Sequence, residues 1–123
     1  MADTQPGSGR LTTHVLDTAQ GLPARGLELV LHRLEGERRD LVGEGRTNAD
    51  GRCEAPLMQG DGFRHGTYEI TFFCGPYFDA QGVALAEPKF LDDVVIRFGI
   101  SEDRHYHVPL LLSPFGYSTY RGS

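Results

Sequence analysis

The sequence predicts an all-β domain, a two-sheet antiparallel β-sandwich of about eight strands with one short helix. Three observations predict it. Sixteen glycines and seven prolines cut the chain into short segments. Those segments are rich in Val, Leu, Ile, Thr, Phe and Tyr, which suit a pleated, half-buried surface. Several alternate apolar and polar residues with the period of two that turns successive side chains to opposite faces of a strand.

Residues 11–17 (LTTHVLD) form the first expected strand, closed by the Gln20-Gly21-Leu22-Pro23 break. Residues 27–34 (LELVLHRL) alternate, with Leu27, Leu29 and Leu31 on one face and Glu28, Val30, His32 and Leu34 on the other. The Glu35-Gly36-Glu37 turn leads into a strand near residues 40–45. Asn48-Ala49-Asp50-Gly51 is a strong turn signal, because Asp-Gly tolerates the positive φ that tight turns require. A short strand is expected over 52–55 and a longer one over 66–74 (GTYEITFFC), where Tyr68, Ile70, Phe72 and Cys74 share a face. Residues 75–86 lack alternation and hold the expected helix. Strands over 90–100, 104–112 and 115–120 complete the set.

At 123 residues the chain has room for one domain. Residues 1–10 (MADTQPGSGR) lack the apolar centre of a secretory signal and read as a flexible N-terminal tail, leaving 11–123 as the folded domain. A hydrophobic fraction of 39% with 24% charged residues supports a packed core. The formal net charge of −5 argues against a nucleic-acid partner, which calls for a basic face. No apolar run approaches the roughly 20 residues that span a bilayer, so no membrane role is expected. Cys53 and Cys74 are too few and too far apart for a disulfide framework or a thiolate zinc site. They read as reduced and structural, and the expected location is cytoplasmic.

Polar residues able to do chemistry concentrate at His14, Arg52, His105-Tyr106-His107 and the terminal Ser118-Thr119-Tyr120-Arg121-Gly122-Ser123. Taken singly, each has an ordinary reading. His14 is a surface or satisfied core histidine, Arg52 a solvated arginine after a turn, and the polar terminus a frayed end. His105 and His107 alternate, so both imidazoles share a strand face with Pro109. That spacing serves two metal nitrogens, a polar edge-strand face, or general acid–base work near the histidine pKa of about 6.5. Periodicity does not choose among the three. There is no Gly-x-Ser-x-Gly elbow, neither cysteine sits beside a histidine, and Gly60-Asp61-Gly62 lacks the lysine and spacing of a phosphate loop.

Three segments carry a more specific signal. They are residues 11–24 (LTTHVLDTAQGLPA), residues 45–52 (GRTNADGR), and residues 105–123 (HYHVPLLLSPFGYSTYRGS) with their closing Tyr-Arg-Gly-Ser. Together they resemble the signatures of the transthyretin-like 5-hydroxyisourate hydrolases. The resemblance implies hydrolysis of 5-hydroxyisourate to 2-oxo-4-hydroxy-4-carboxy-5-ureidoimidazoline in urate degradation, with no cofactor and no required metal. It implies catalytic roles for His14, Arg52 and His107, with Tyr120, Arg121, Gly122 and Ser123 completing the pocket; His105 matches the pattern less critically. Ser118, on the face of Tyr120 if the strand runs on, is expected to reach substrate edges. One of His14 and His107 would act as general base on water, and Arg52 would hold the substrate's oxygens. The resemblance further implies a homotetramer with active sites at the dimer–dimer interface. The alternative is a tetrameric carrier of small ligands like transthyretin, which shares the fold but lacks these histidines and the terminal tetrapeptide. A purely structural interaction domain is the weaker rival, and it leaves the His/Arg set without a use.

Overall fold

The structure, a computed structural model, describes residues 9–122. The expected tail falls on residues 1–8, outside the described residues, and on Gly9 and Arg10. Gly9 is buried, its N–H donating to Asp103 Oδ1 at 2.8 Å.

The strands in chain order are β1 (Arg10–Asp17), β2 (Leu22–Pro23), β3 (Glu28–Glu35), β4 (Arg38–Arg46), β5 (Met58–Gln59), β6 (Gly66–Phe73), β7 (Asp93–Ile100), β8 (His105–Ser113) and β9 (Gly116–Thr119). The helix α1 (Cys74–Ala80) follows β6. One sheet runs β2-β1-β8-β9, with β5 also on β1, and the other runs β4-β3-β6-β7. Every pairing is antiparallel except β1 with β8, which is parallel. That pair departs from the all-antiparallel expectation. Its strands lie far apart in sequence, so no hairpin dictates their relative direction.

The predicted alternation is visible in burial. Leu11, Thr13, Val15 and Asp17 of β1 point inward, while Thr12, His14 and Leu16 stand half-buried on the outer face. Leu29 and Leu31, Tyr68, Ile70 and Phe72, Val94 and Ile96, and Val108, Leu110 and Leu112 fill the space between the sheets. Each such side chain, fully buried, contributes roughly 1.5–3 kcal/mol. Tyr77 and Phe78 of α1 join this core. The inward polar groups of β1 are satisfied, whereas His32 Nδ1 of β3 and Thr71 Oγ1 of β6 are buried without a hydrogen-bond partner among the described residues. Thr13 Oγ1 donates to Val108 O at 2.7 Å, and the Tyr77 hydroxyl donates to Asp17 Oδ2 at 2.7 Å. Burial, and then the Asp17 carboxylate, push the Tyr77 phenol far up, so it remains a donor.

Two local readings change. Residues 52–55 form no strand; Arg52 makes a single bridge to His14, and the chain then turns so that β5 reaches β1. Pro56 has no N–H to extend a ladder there, and the Leu57 N–H donates to Leu11 O at 2.8 Å instead. Cys74 opens the helix and does not close the strand. Its N–H and that of Gly75 both donate to Asp92 O, and Pro76 sits in the first turn, where its missing N–H is not needed. No helix among the described residues is long and apolar enough to cross a membrane.

Candidate active site

The parallel β1–β8 register sets Arg10 beside His105, Thr12 beside His107 and His14 beside Pro109. Because side chains alternate, all six of these residues belong to the outer face of the first sheet. On the far side of β8 the chain beyond β9 returns to bridge His107 with Gly122, whose N–H donates to His107 O at 2.8 Å. On the far side of β1, His14 bridges Arg52. Arg52, His14, Thr12, His107 and Gly122 thus meet across neighbouring strands about 4.8 Å apart.

The turn before Arg52 is built to dock there. Asn48 Oδ1 accepts from the N–H groups of Asp50 (2.9 Å) and Arg52 (3.2 Å), and Gly51 N–H donates to Asn48 O at 2.9 Å. Gly51 has φ +77° and its carbonyl accepts from Val15 N–H at 2.8 Å. This is the Asp-Gly signal of the sequence, and its consequence is to press Arg52 against β1.

A cavity of about 300 Å³ is lined by Thr12, Thr13, Arg52, Cys53, Ala55, His105 and His107. Two of the three expected catalytic residues, Arg52 and His107, share it. His14 does not line it, but it bridges Arg52, which does. Burial first, then the charges of Arg52, His105 and His14, hold the His107 imidazole below its usual pKa. Burial and then Arg10 do the same for His105. Both rings are therefore neutral at neutral pH. The Thr12 hydroxyl lies 2.6 Å from His105 Nε2 and 2.8 Å from His107 Nδ1. Nε2 of His107 has no hydrogen-bond partner among the described residues. Burial pushes the Cys53 thiol up, which keeps it protonated and a poor nucleophile. No group of three or more His, Cys, Asp and Glu among the described residues is arranged to hold a metal ion.

Gly122 reaches the site through its backbone. A Cβ there would lie 2.7 Å from His107 Cδ2, so this close pass has room only for glycine. The other terminal residues sit elsewhere in the single chain. Ser118 pairs with Leu111, four residues along the strand from His107, or roughly 13 Å at the rise of a strand. Tyr120 and Arg121 are exposed and line a separate groove of about 250 Å³ at the open edge between the sheets, with Ile96, Phe98, Tyr106 and Val108. Ser123 lies outside the described residues. Thr12 went unnoticed in the sequence, although its place two residues from His14 put it on the same strand face.

A profile of the HIUase/Transthyretin family matches residues 11–122. The chain is 62% identical over 117 residues to 5-hydroxyisourate hydrolase 2 of Rhizobium meliloti, covering 94% of this chain and 98% of that protein. The solved structure of Klebsiella pneumoniae 5-hydroxyisourate hydrolase superposes with a TM-score of 0.78 at 36% identity, covering 94% of this chain and 99% of that one. (S)-Allantoin synthase superposes with a TM-score of 0.89 at 52% identity; the match takes in 98% of this chain but only 46% of the length of that one.

Proposed function

The chain belongs to the HIUase/Transthyretin family, and from that membership we infer its activity: it hydrolyses 5-hydroxyisourate in urate degradation. The observation that carries the assignment of roles is that Arg52 and a neutral His107 line one cavity, with Nε2 of His107 unpartnered.

The reaction opens a ring at an acyl carbon bonded to nitrogen. Neutral His107 takes a proton from water through Nε2 as the water oxygen bonds to the acyl carbon. The carbonyl oxygen becomes an oxyanion, and the Arg52 guanidinium beside the cavity favours that charge as it develops. Collapse of the tetrahedral adduct breaks the C–N bond, and the leaving nitrogen takes from the His107 imidazolium the proton that His107 took from water. Every proton removed from water is returned, so no cofactor enters the balance.

The pH dependence follows from the environment of His107. The base works unprotonated, and burial, Arg52, His105 and His14 all disfavour its protonated form. The expected kcat/KM is level near neutrality and falls only as the pH drops below 6.5, the ordinary histidine value, through the depressed pKa. Arg52→Gln removes one of the opposing charges, so the acid limb moves to higher pH while the plateau drops. Ultraviolet absorbance loss of freshly generated 5-hydroxyisourate, measured across pH, reads both effects. An acid limb above the ordinary histidine value in the wild type, or an Arg52→Gln limb shifted to lower pH, contradicts the assignment.

Unlike Gly122, the terminal residues Ser118, Tyr120 and Arg121 need a second copy of the chain to join the chemistry. The cavity opens outward from the face of one sheet, and Phe115, Tyr117 and Tyr120 are large, exposed side chains near or on β9. Burying such groups and closing the cavity against a facing sheet supports a homotetramer with active sites at the dimer–dimer interface. Tyr120, Arg121 and Ser118 then complete the pocket from across that interface. Sedimentation at micromolar concentration should give a tetramer, and a stable monomer with full turnover would overturn this arrangement. Cys53 and Cys74 are both free, which fits a reducing cytoplasm.

A further inference from the structure

The two contacts of the Thr12 hydroxyl constrain one another. A hydroxyl has one hydrogen to donate. With His105 Nε2 at 2.6 Å and His107 Nδ1 at 2.8 Å, it can donate to one ring only, and the other ring must donate to it. Two proton arrangements satisfy both contacts.

In the first, His105 Nε2–H donates to the hydroxyl oxygen and the hydroxyl donates to His107 Nδ1. Neutral His107 then carries its proton on Nε2 and has no free lone pair to act as a base. In the second, the hydroxyl donates to His105 Nε2, and His107 Nδ1–H donates to the hydroxyl oxygen. His107 then holds a lone pair on Nε2, its one ring nitrogen without a partner among the described residues.

Electrostatics select the second arrangement. The Arg52 guanidinium lines the same cavity and its charge disfavours protonation of His107. A cation on the cavity side favours a lone pair over an N–H directed at it. The threonine is suited to hold the arrangement, because a β-branched side chain on a strand is restricted at χ1 and keeps its hydroxyl fixed between the rings. The parallel register supplies the rest by placing Thr12 directly beside His107, with His105 two residues back on the same face.

We propose that Thr12 and His105 are positioning residues that set the tautomer of His107, keeping its proton on Nδ1 so that the Nε2 lone pair serves as the base. The catalytic consequence rests on the hydrolase reading, whereas the tautomer is a property of the resting protein. When Nε2 takes a proton from water, the Nδ1–H bond to Thr12 stays in place, so the resulting imidazolium forms without rearrangement. His105 acts only through the hydroxyl, as the acceptor that keeps it turned away from His107.

The test is nitrogen NMR of the labelled imidazoles, together with kcat and KM, in the wild type, Thr12→Val, Thr12→Ser and His105→Phe. The wild type is expected to show His107 protonated on Nδ1, and Thr12→Ser to match it with kcat within about 3-fold. Thr12→Val removes the hydroxyl and should give a mixture of tautomers. His105→Phe frees the hydroxyl to donate to His107 Nδ1 and should drive the proton to Nε2. In both variants kcat falls about 10- to 100-fold with KM little changed, the magnitude typical of partners that orient a reacting group. A wild-type His107 resting with its proton on Nε2 overturns the proposal. So does a Thr12→Val protein with wild-type tautomer and kcat. Absence of turnover in the wild type would instead remove the hydrolase reading, and the NMR spectra would still decide the tautomer.

Discussion

His107→Ala should lower kcat/KM for 5-hydroxyisourate by about 100- to 10,000-fold, the range that general acid–base assistance supplies. The protein should still fold. His107 is half-buried on the outer face of β8, and the inward residues beside it, Tyr106 and Val108, keep the core contacts of that strand. Alanine at an outer strand position costs on the order of 1 kcal/mol or less in strand preference. The neighbouring polar groups also stay satisfied, since Thr12 keeps its bond to His105. Turnover by ultraviolet absorbance, paired with a thermal midpoint, separates loss of chemistry from loss of fold. Full turnover in the variant would remove His107 from the mechanism.

The second large effect comes from Gly51→Ala. At φ +77° a Cβ would lie 2.3 Å from the Val15 carbonyl oxygen and 3.2 Å from both His14 Cδ2 and Pro23 Cβ. The nearest obstacle is backbone and cannot rotate away. A left-handed conformation costs a residue with a side chain roughly 1–2 kcal/mol, and the overpacking adds roughly 1–3 kcal/mol. The expected loss of about 2–5 kcal/mol is a large share of the roughly 5–15 kcal/mol that holds a domain together. Activity should fall as well, because the turn that moves away from β1 carries Arg52. Gly21 offers a control, with a similar φ of +72° and nothing within 4 Å of its Cβ position. Gly21→Ala should show the backbone cost alone, roughly 1–2 kcal/mol, and leave turnover unchanged. Urea unfolding of the two variants reads the difference. Equal midpoints would show that the contact with Val15 carries no energy.

Much of this was legible in the sequence, for a physical reason. Strands buried on one face announce themselves by alternation, so β1, β3 and β6 were readable from Leu11 and Val15, Leu29 and Leu31, and Tyr68, Ile70 and Phe72. The Asp50-Gly51 turn was readable because few residues accept its backbone. Partner choice was not. Nothing in residues 10–17 or 105–113 says that the two strands run parallel, and the contact of Thr12 with both histidines depends on that direction. The apparent strand over 52–55 failed because its pairing is decided by β1 and by Pro56, outside the local pattern. His107 and Arg52 stood out through the resemblance of their segments to a known family, whereas Thr12 did not, since threonine is an ordinary strand residue. The terminal residues Ser118, Tyr120 and Arg121 were grouped with the histidines by sequence motif. The single chain places Ser118 along the strand and the other two at a separate groove, so the part proposed for them in the pocket rests on the proposed assembly.

The most direct measurement is the rate of absorbance loss of 5-hydroxyisourate, generated in place from urate, with and without the wild-type protein. Loss accelerated well beyond the spontaneous reaction, in proportion to enzyme added, is the expected result. Loss no faster than the spontaneous reaction, with the protein folded and assembled, would contradict it and move the small-ligand carrier reading to first place.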